Sequence, residues 1–171
     1  MRELRVQFIH GLEGSPQGAK ARLLAQHFDV RTPAMDTSDF EACVEVQASS
    51  LKDFDPDVLV GSSFGGAVAV ALLQRGLWRG PTLLLAQAAL RRGQPPELPD
   101  RVPILLVHGL QDSLIDPLDS RTLARAGAPE WVELLEVEDD HALHRSVENG
   151  ALLSWVRDLG ACAVKLEPVT K

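Results

Sequence analysis

One short run, VLVGSSFGGA at residues 58–67, constrains the fold of this chain more than any other feature of its sequence. Apolar residues typical of a buried strand precede a G-x-S-x-G pattern made by Gly61, Ser63 and Gly65, and small residues typical of a helix follow it. So sharp a turn strains the serine, and side chains two residues away on either side would collide. The run therefore predicts that the Ser63 hydroxyl stands above a sheet edge, at the positive end of a helix dipole.

Two other interpretations of this run stay open from the sequence. An ordinary glycine-containing turn between a strand and a helix has the same pattern, and Ser62 is a second serine in the turn. Ser63 is the better candidate nucleophile because only this serine has glycine two residues before and two residues after it. A phosphate-binding loop is not indicated, since neither G-x-x-x-x-G-K-[ST] nor G-x-G-x-x-G occurs in the chain.

Strand-like and helix-like segments alternate along the chain. Apolar runs predict strands at residues 4–9, 29–31, 57–60, 82–86, 104–107 and 131–137. Helical patterns lie between and after them, at residues 16–27, 38–54, 64–75, 119–126 and 143–159. The sequence therefore predicts a single α/β domain over residues 1–171, with a mostly parallel central sheet of about six strands, helices on both faces and no cap domain.

Four local features add to this prediction. Ser15 and Pro16 have the spacing of an N-cap and a first helical residue. Residues 87–101 are rich in proline, glycine and arginine and predict a surface connection, and the acidic cluster at 136–140 predicts a solvated loop. Residues 161–166 fit either a last strand or an ordered end of the chain.

A serine presented in this way acts with an acid and a histidine that follow it in the chain, each in a loop after a strand. Asp112 follows the predicted strand 104–107 and is the candidate acid, whose carboxylate would hold an imidazole in one tautomer. Asp116 precedes Pro117, which is more typical of a turn or a helix start. An ordinary turn aspartate is the alternative interpretation of Asp112.

His141 follows the predicted strand 131–137 and precedes the last predicted helix, which is the expected place of a general base. His144 lies three residues further on, where a surface position is expected. His10 and His108 each end a strand before a glycine, and we expect them to satisfy backbone or loop hydrogen bonds. His27 closes a helix, where its partial charge suits the dipole.

The loop after the first strand, HGLEGS at residues 10–15, contains two glycines. A loop of this kind can turn a backbone N–H towards the oxygen of a reacting carbonyl. We expect the N–H groups of Leu12 and of Phe64, the residue after the candidate nucleophile, to form such an oxyanion hole. A plain turn between strand and helix is the alternative interpretation of the loop.

Composition and charge exclude several other classes of protein. The formal net charge of −7 argues against binding to a nucleic-acid backbone, and no apolar run is long enough to span a membrane. Cys43 and Cys162 are far apart, which favours neither a disulfide framework nor a thiolate metal site. The N-terminal segment lacks the features of a signal peptide, so a cytoplasmic protein is expected. The oligomeric state stays open.

Four features of the sequence, taken together, resemble the α/β-hydrolase superfamily. They are the HG loop at residues 10–11, the pattern around Ser63, the HGxxD run at 108–112 and the late His141. The opening strand, the HGLEGSP run and the helix that carries Lys20 are more narrowly similar to the small YqiA-like esterases. The resemblance implies a compact α/β-hydrolase fold, a triad of Ser63, Asp112 and His141, and hydrolysis of carboxylic esters. The chain departs from the larger members of the superfamily by starting at the HG strand and by lacking an inserted cap.

The residues and the resemblance together predict a serine hydrolase, similar to a carboxylesterase, that acts on carboxylic esters or thioesters of small or accessible acyl groups. Ser63 would form the acyl-enzyme, and water would release the acid without a metal or organic cofactor. The expected partner is a small acyl substrate. Two alternatives stay open, a non-catalytic binding protein of the same fold and a peptidase or acyltransferase with the same three residues.

Overall fold

The computed structural model describes residues 2–12 and 14–166. The strands in this part of the chain are β1 Arg5–Ile9, β2 Asp29–Arg31, β3 Val58–Ser62, β4 Thr82–Leu85, β5 Ile104–Gly109 and β6 Val132–Val137. They form a six-stranded sheet in the order β2-β1-β3-β4-β5-β6, and every neighbouring pair is parallel. The prediction of a parallel sheet of about six strands is confirmed.

The α-helices of the described residues are α1 Ala19–His27, α2 Phe40–Phe54, α3 Phe64–Gln74, α4 Pro117–Arg125, α5 His144–Glu148 and α6 Ala151–Leu166. One face of the sheet, here called the α3 face, is covered by α2, α3 and α4, and the other, called the α6 face, is covered by α1 and α6. Helices therefore lie on both faces, as predicted. Across the described residues, no helix has both the length and the apolar character needed to cross a membrane.

The central strands supply side chains to both packed layers. Along β3, Val58 and Val60 belong to the core of the α6 face, whereas Leu59 belongs to the core of the α3 face. All three side chains are fully buried. Because successive side chains of a strand point to opposite faces, a strand that is covered on both faces is apolar at every position. This is why the central strands lack an alternating pattern in the sequence.

The first helix begins later than predicted, at Ala19 rather than at residue 16. The Ser15 hydroxyl accepts a hydrogen bond from Gln17 N at 3.1 Å, and Gly18 N donates to Ser15 O at 3.0 Å. These bonds close a turn in front of the helix, and Gly18 takes the N-cap position. The prediction that Ser15 caps the helix is wrong, because a serine before proline can begin a turn as well as a helix.

The predicted helix 143–159 is two helices, since α5 ends at Glu148 and α6 begins at Ala151. Gly150 lies between them with φ +80°, in the left-handed region that ends helices and that glycine adopts at least cost. The Asn149 side chain then accepts a hydrogen bond from Ala151 N at 2.9 Å, which starts the second helix. Because α6 continues to Leu166, the alternative of a last strand at residues 161–166 is wrong.

The segment 87–101 connects β4 to β5 and holds a single short 3-10 turn at Leu90–Arg92. The Gln74 side chain holds its later part by donating to Pro95 O and Glu97 O at 2.8 and 2.9 Å. Its first residues are buried, Gln87 completely, so only the later part is the predicted surface connection. This described connection contains no inserted domain.

Candidate active site

The parallel sheet brings four loops to one edge. Because all strands run in the same direction, the carboxyl ends of β1, β3, β5 and β6 lie on the same side. Ser63, Asp112 and His141 follow β3, β5 and β6, and the HG loop follows β1. In open α/β sheets, ligands bind at this edge. The topology therefore gathers residues that are far apart in the sequence.

Ser63 occupies the sharp turn between β3 and α3. Its backbone has φ +55° and ψ −114°, a conformation that non-glycine residues adopt only when their surroundings enforce it. Ser63 N donates to Leu85 O at 2.9 Å, and Ser63 O accepts from Ala67 N and Ala88 N at 3.2 and 3.0 Å. Three backbone hydrogen bonds thus hold the serine in the strained conformation that the sequence predicts.

The glycines on either side of Ser63 are required by close backbone packing. A Cβ atom added to Gly61 would lie 2.6 Å from Gly65 O, inside the turn itself. A Cβ atom added to Gly65 would collide with Ile9 O and would lie 2.6 Å from His10 O. All three oxygens are backbone atoms, so none of them can move aside without a shift of the chain. The G-x-S-x-G pattern is thus a packing requirement of this turn.

His141 lies between Ser63 and Asp112. Its Nε2 atom is 3.0 Å from Ser63 Oγ, and its Nδ1 atom is 2.7 Å from Asp112 Oδ2. A carboxylate only accepts hydrogen bonds, so Nδ1 carries the proton and Nε2 is free to accept one from the serine hydroxyl. The arrangement can therefore transfer a proton from Ser63 to His141 while Asp112 stabilises the resulting charge.

The Asp112 side chain is completely buried, and its two oxygens have separate partners. Oδ1 accepts from the backbone N–H groups of Leu114 and Ile115, both at 2.9 Å. Oδ2 accepts from His141. A buried carboxylate is tolerated only when its lone pairs are satisfied, so these bonds fix both the charge and the direction of Oδ2.

The loop after β1 lies against the nucleophile. A Cβ atom on Gly11 would be 3.4 Å from Ser63 Cβ. Phe64 is the first residue of α3, where a backbone N–H has no partner inside the helix. Neither Phe64 N nor Leu12 N donates a hydrogen bond to another described residue. Both predicted oxyanion donors thus lack a partner among the described residues, and Leu12 lines the same cavity as Ser63.

No protein-family model matches the sequence, and no curated protein matches it. Solved structures do match. A predicted hydrolase of the alpha/beta superfamily from Xanthomonas campestris pv. campestris is 22% identical, with a TM-score of 0.71 over 97% of this chain and 100% of that chain. Est1E from Butyrivibrio proteoclasticus is 16% identical, with a TM-score of 0.70 over 96% and 89% of the two chains. The monoacylglycerol lipase of Paleococcus ferrophilus is 15% identical, with a TM-score of 0.69 over 91% and 94%.

This chain has the α/β-hydrolase fold. The predicted fold class is confirmed. Sequence identities this low show the fold alone, so the narrower similarity to YqiA-like esterases stays a prediction.

Within the α/β-hydrolase fold of this chain, His108 has a closer relation to Asp112 than the sequence indicates. Its Nε2 atom donates to Ile115 O at 3.0 Å, the loop hydrogen bond that was expected, and also lies 3.1 Å from Asp112 Oδ2. Its Nδ1 atom accepts from the Ser120 hydroxyl at 2.7 Å, and Gln87 Nε2 donates to that hydroxyl. A chain of buried polar groups therefore runs from Gln87 through Ser120 and His108 to the candidate acid.

The loop that carries His141 is anchored by Asp139, which is buried. Burial would raise the pKa of Asp139, but hydrogen bonds from Ser146, Asp140 and Arg145 outweigh it and hold the pKa below its usual value. Ser146 alone donates twice, from N and Oγ, both at 2.8 Å. The prediction of a solvated acidic loop is therefore wrong for Asp139, since its carboxylate organises the start of α5.

The neighbouring Asp140 binds the exposed His144. The His144 side chain and backbone N–H hold the pKa of Asp140 at about 2. His144 Nδ1 lies 2.6 Å from Asp140 Oδ2, and the His144 side chain is 74% exposed. His144 is thus at the surface, as expected. Asp140 fixes the chain directly before His141.

A cavity of about 370 Å³ opens beside the three candidate residues. Its polar lining comes from the HG loop, the turn at Ser63, the His141 loop and the start of α1, and its apolar lining includes Phe8, Leu114 and Val147. Lys20 is among the lining residues. The sequence does not point to Lys20 as a site residue, because only the tertiary fold brings α1 beside the nucleophile.

His10 lies in the wall of this cavity. Its Nδ1 atom donates to Gly11 O at 2.8 Å, which agrees with the expected backbone hydrogen bond. Its Nε2 atom is buried and has no partner among the described residues. The ring is therefore held by one backbone hydrogen bond within the HG loop and makes no hydrogen bond to Ser63.

Proposed function

We propose that this protein is a serine hydrolase that cleaves carboxylic esters through an acyl-enzyme on Ser63. The observation that carries the proposal is the chain of two contacts from Ser63 Oγ to His141, at 3.0 Å, and from His141 to the buried Asp112, at 2.7 Å. A nucleophile, a base and an acid at such distances are the requirement for acyl transfer.

The proposed reaction begins when the ester carbonyl lies beside Ser63. His141 Nε2 takes the hydroxyl proton while Oγ attacks the carbonyl carbon, and Asp112 stabilises the imidazolium. The N–H groups of Leu12 and Phe64 bind the oxyanion of the tetrahedral intermediate. The intermediate collapses by breaking the ester C–O bond, and His141 returns its proton to the leaving alcohol.

The second half of the reaction releases the acid. A water molecule takes the place of the alcohol and attacks the acyl-enzyme as His141 accepts its proton. Collapse of the second tetrahedral intermediate breaks the bond to Ser63 Oγ, which recovers its proton from His141. The open cavity and the lack of an inserted domain in the described β4–β5 connection favour small or accessible acyl groups, in esters or thioesters.

The structural neighbours add support of a coarser kind. The monoacylglycerol lipase is named for ester cleavage, and both it and Est1E share the fold of this chain over most of its length. Since fold and reaction are separable, the site geometry carries more weight than the names.

A fluorophosphonate probe tests the nucleophile directly. We expect the probe to label Ser63, and mass mapping to find no adduct on the adjacent Ser62. The Ser63→Ala variant should lose labelling and nearly all p-nitrophenyl acetate turnover, with a fall of about 10³-fold or more. Ser154→Ala, at an exposed position of α6, is the matched control and should match the unsubstituted protein. Labelling of another residue contradicts the proposal, and tight ligand binding without turnover would favour a non-catalytic binding protein.

A further inference from the structure

Lys20 is a cationic residue in the wall of the cavity that holds the proposed catalytic residues. It is the second residue of α1, its side chain is half-buried, and it lines the same cavity as Ser63 and His141. It forms no ion pair or hydrogen bond through its side chain with any described residue. An ammonium group held near a reaction site without a carboxylate partner is available to a ligand.

The surroundings of Lys20 do not neutralise it. Burial lowers the pKa of Lys20, while the more distant carboxylates of Asp140 and Asp139 act in the opposite direction and only partly compensate. Both carboxylates are already engaged, Asp139 by Ser146 and Asp140 by His144. A ligand carboxylate in the cavity would supply the negative partner that Lys20 lacks among the described residues.

The rest of the described cavity wall also favours negative charge. No aspartate or glutamate is among the described residues that line it. The first turn of α1 contains no acidic residue, and its N-cap, Gly18, has no side chain to bind the free N–H groups. Gly18, Ala19 and Ala21 line the cavity together with Lys20, so the positive end of the helix and the lysine border the same space.

We propose that Lys20 binds a carboxylate on the substrate, so that the preferred substrates are esters carrying one negative charge in addition to the scissile group. This inference rests on the proposed ester hydrolysis at Ser63 and names the substrate class of that site. A neutral ester leaves the ammonium group unpaired, whereas an anionic ester forms a charge-assisted hydrogen bond with it in a partly desolvated place. The carboxylate belongs to the acyl part or to the alcohol part of the ester.

Matched pairs of esters test the charge preference. Monomethyl glutarate and methyl pentanoate differ in a charge on the acyl side, and acetoxyacetate and propyl acetate differ in a charge on the alcohol side. Turnover at pH 7.5 and low salt is followed by titration of the released acid. We expect kcat/KM to favour the anionic member of at least one pair by about tenfold or more, and the two pairs show which side carries the charge.

Substitution of Lys20 then assigns the preference. Lys20→Met removes the charge and keeps most of the side-chain length, and it should lower the anionic-to-neutral ratio by about tenfold to a hundredfold. Lys20→Arg keeps the charge and should retain most of the ratio. Lys52→Met, the same substitution at an exposed position of α2, is the matched control and should leave the ratio unchanged.

Failure of this inference is distinguishable from failure of the proposed function. If the protein cleaves neutral esters but shows no anionic preference, or keeps that preference in Lys20→Met, the inference is overturned and the serine hydrolase proposal stands. If no ester is cleaved, the proposed function fails, and calorimetry with glutarate decides the binding site separately. Glutarate binding that is lost in Lys20→Met but kept in Lys52→Met supports the carboxylate site, and equal binding to both overturns it.

Discussion

The orientation of His141 depends on the carboxylate of Asp112. Asparagine at this position keeps an oxygen for Leu114 N and Ile115 N, but it places an amide group opposite His141 Nδ1, which is a donor. The imidazole then loses its favoured tautomer and the partner for its positive charge. We expect Asp112→Asn to lower kcat for p-nitrophenyl acetate by about 10³- to 10⁴-fold with a folded protein.

Asp116→Asn is the matched control for this substitution. The Asp116 side chain caps α4 by accepting from Leu118 N at 2.9 Å, and asparagine caps helices equally well. This variant should keep its turnover. Equal activity of Asp112→Asn and Asp116→Asn would contradict the assignment of Asp112.

At the residue scale, the sequence predicts a site residue when its position along the chain, relative to the strands, is enough to place it at the site. Ser63 has a pattern of its own, and Asp112 and His141 follow because loops after parallel strands meet at one edge. Lys20 and His108 have no comparable signal, since their importance depends on what α1 and β5 pack against. The spacing of four residues from His108 to Asp112 is the one hint that the HGxxD run contains.

At the element scale, the loop between β6 and α5 depends on a single buried carboxylate. Asp139 Oδ1 accepts from Asp140 N and Arg145 N, and its Oδ2 accepts from Ser146 N and Oγ. In Asp139→Asn an amide group replaces one of these acceptors and faces donors. We expect the free energy of unfolding at pH 7 to fall by about 1.5–3 kcal/mol, measured by denaturant titration.

The difference in unfolding free energy between the unsubstituted protein and Asp139→Asn should depend on pH if the negative charge of Asp139 causes it. The folded pKa of Asp139 lies below the unfolded value of about 3.9, so its stabilisation is complete above that value and is lost as the pH falls through the folded pKa. The gap between the unsubstituted protein and Asp139→Asn should therefore be constant above about pH 5 and narrow below about pH 4. Glu133→Gln, at an exposed position of β6, should show no gap. A gap that is the same at pH 7 and pH 3 would contradict the role of the charge.

The elements themselves are predictable where hydrophobic pattern and length agree, as in the central strands and in α2 and α3. The helix boundaries differ where a local polar contact competes with the pattern. The hydroxyl of Ser15 closes a turn rather than capping α1, and Asn149 and Gly150 divide one apolar stretch into two helices. The position of such a boundary depends on whether a turn or a continued helix packs better against the sheet. The local sequence does not contain this information about packing.

At the scale of the whole molecule, the site requires the sheet to act as one body. The nucleophile, the acid, the base and the HG loop follow four different strands, so the distances of 3.0 and 2.7 Å persist only while the strands keep their register. Helices cover the strands on the α3 face and on the α6 face. Each central strand contributes side chains to the packed layer on both faces. Loss of either layer would expose half of every central strand to water.

The shared strands lead to a prediction about unfolding, because neither layer can leave the sheet without destabilising the other. We propose that the chain is one cooperative domain and expect both layers to unfold in a single transition.

The three tryptophans make this single transition measurable, since Trp78 and Trp131 pack on the α3 face and Trp155 packs on the α6 face. In Trp155→Phe the fluorescence reports the α3 face, and in the double variant Trp78→Phe with Trp131→Phe it reports the α6 face. Within each variant, the guanidinium midpoints from fluorescence and from far-UV circular dichroism should coincide. A midpoint for Trp155 at lower guanidinium than the circular dichroism midpoint would show that the α6 face unfolds separately, and the site would then depend on a layer that opens before the rest.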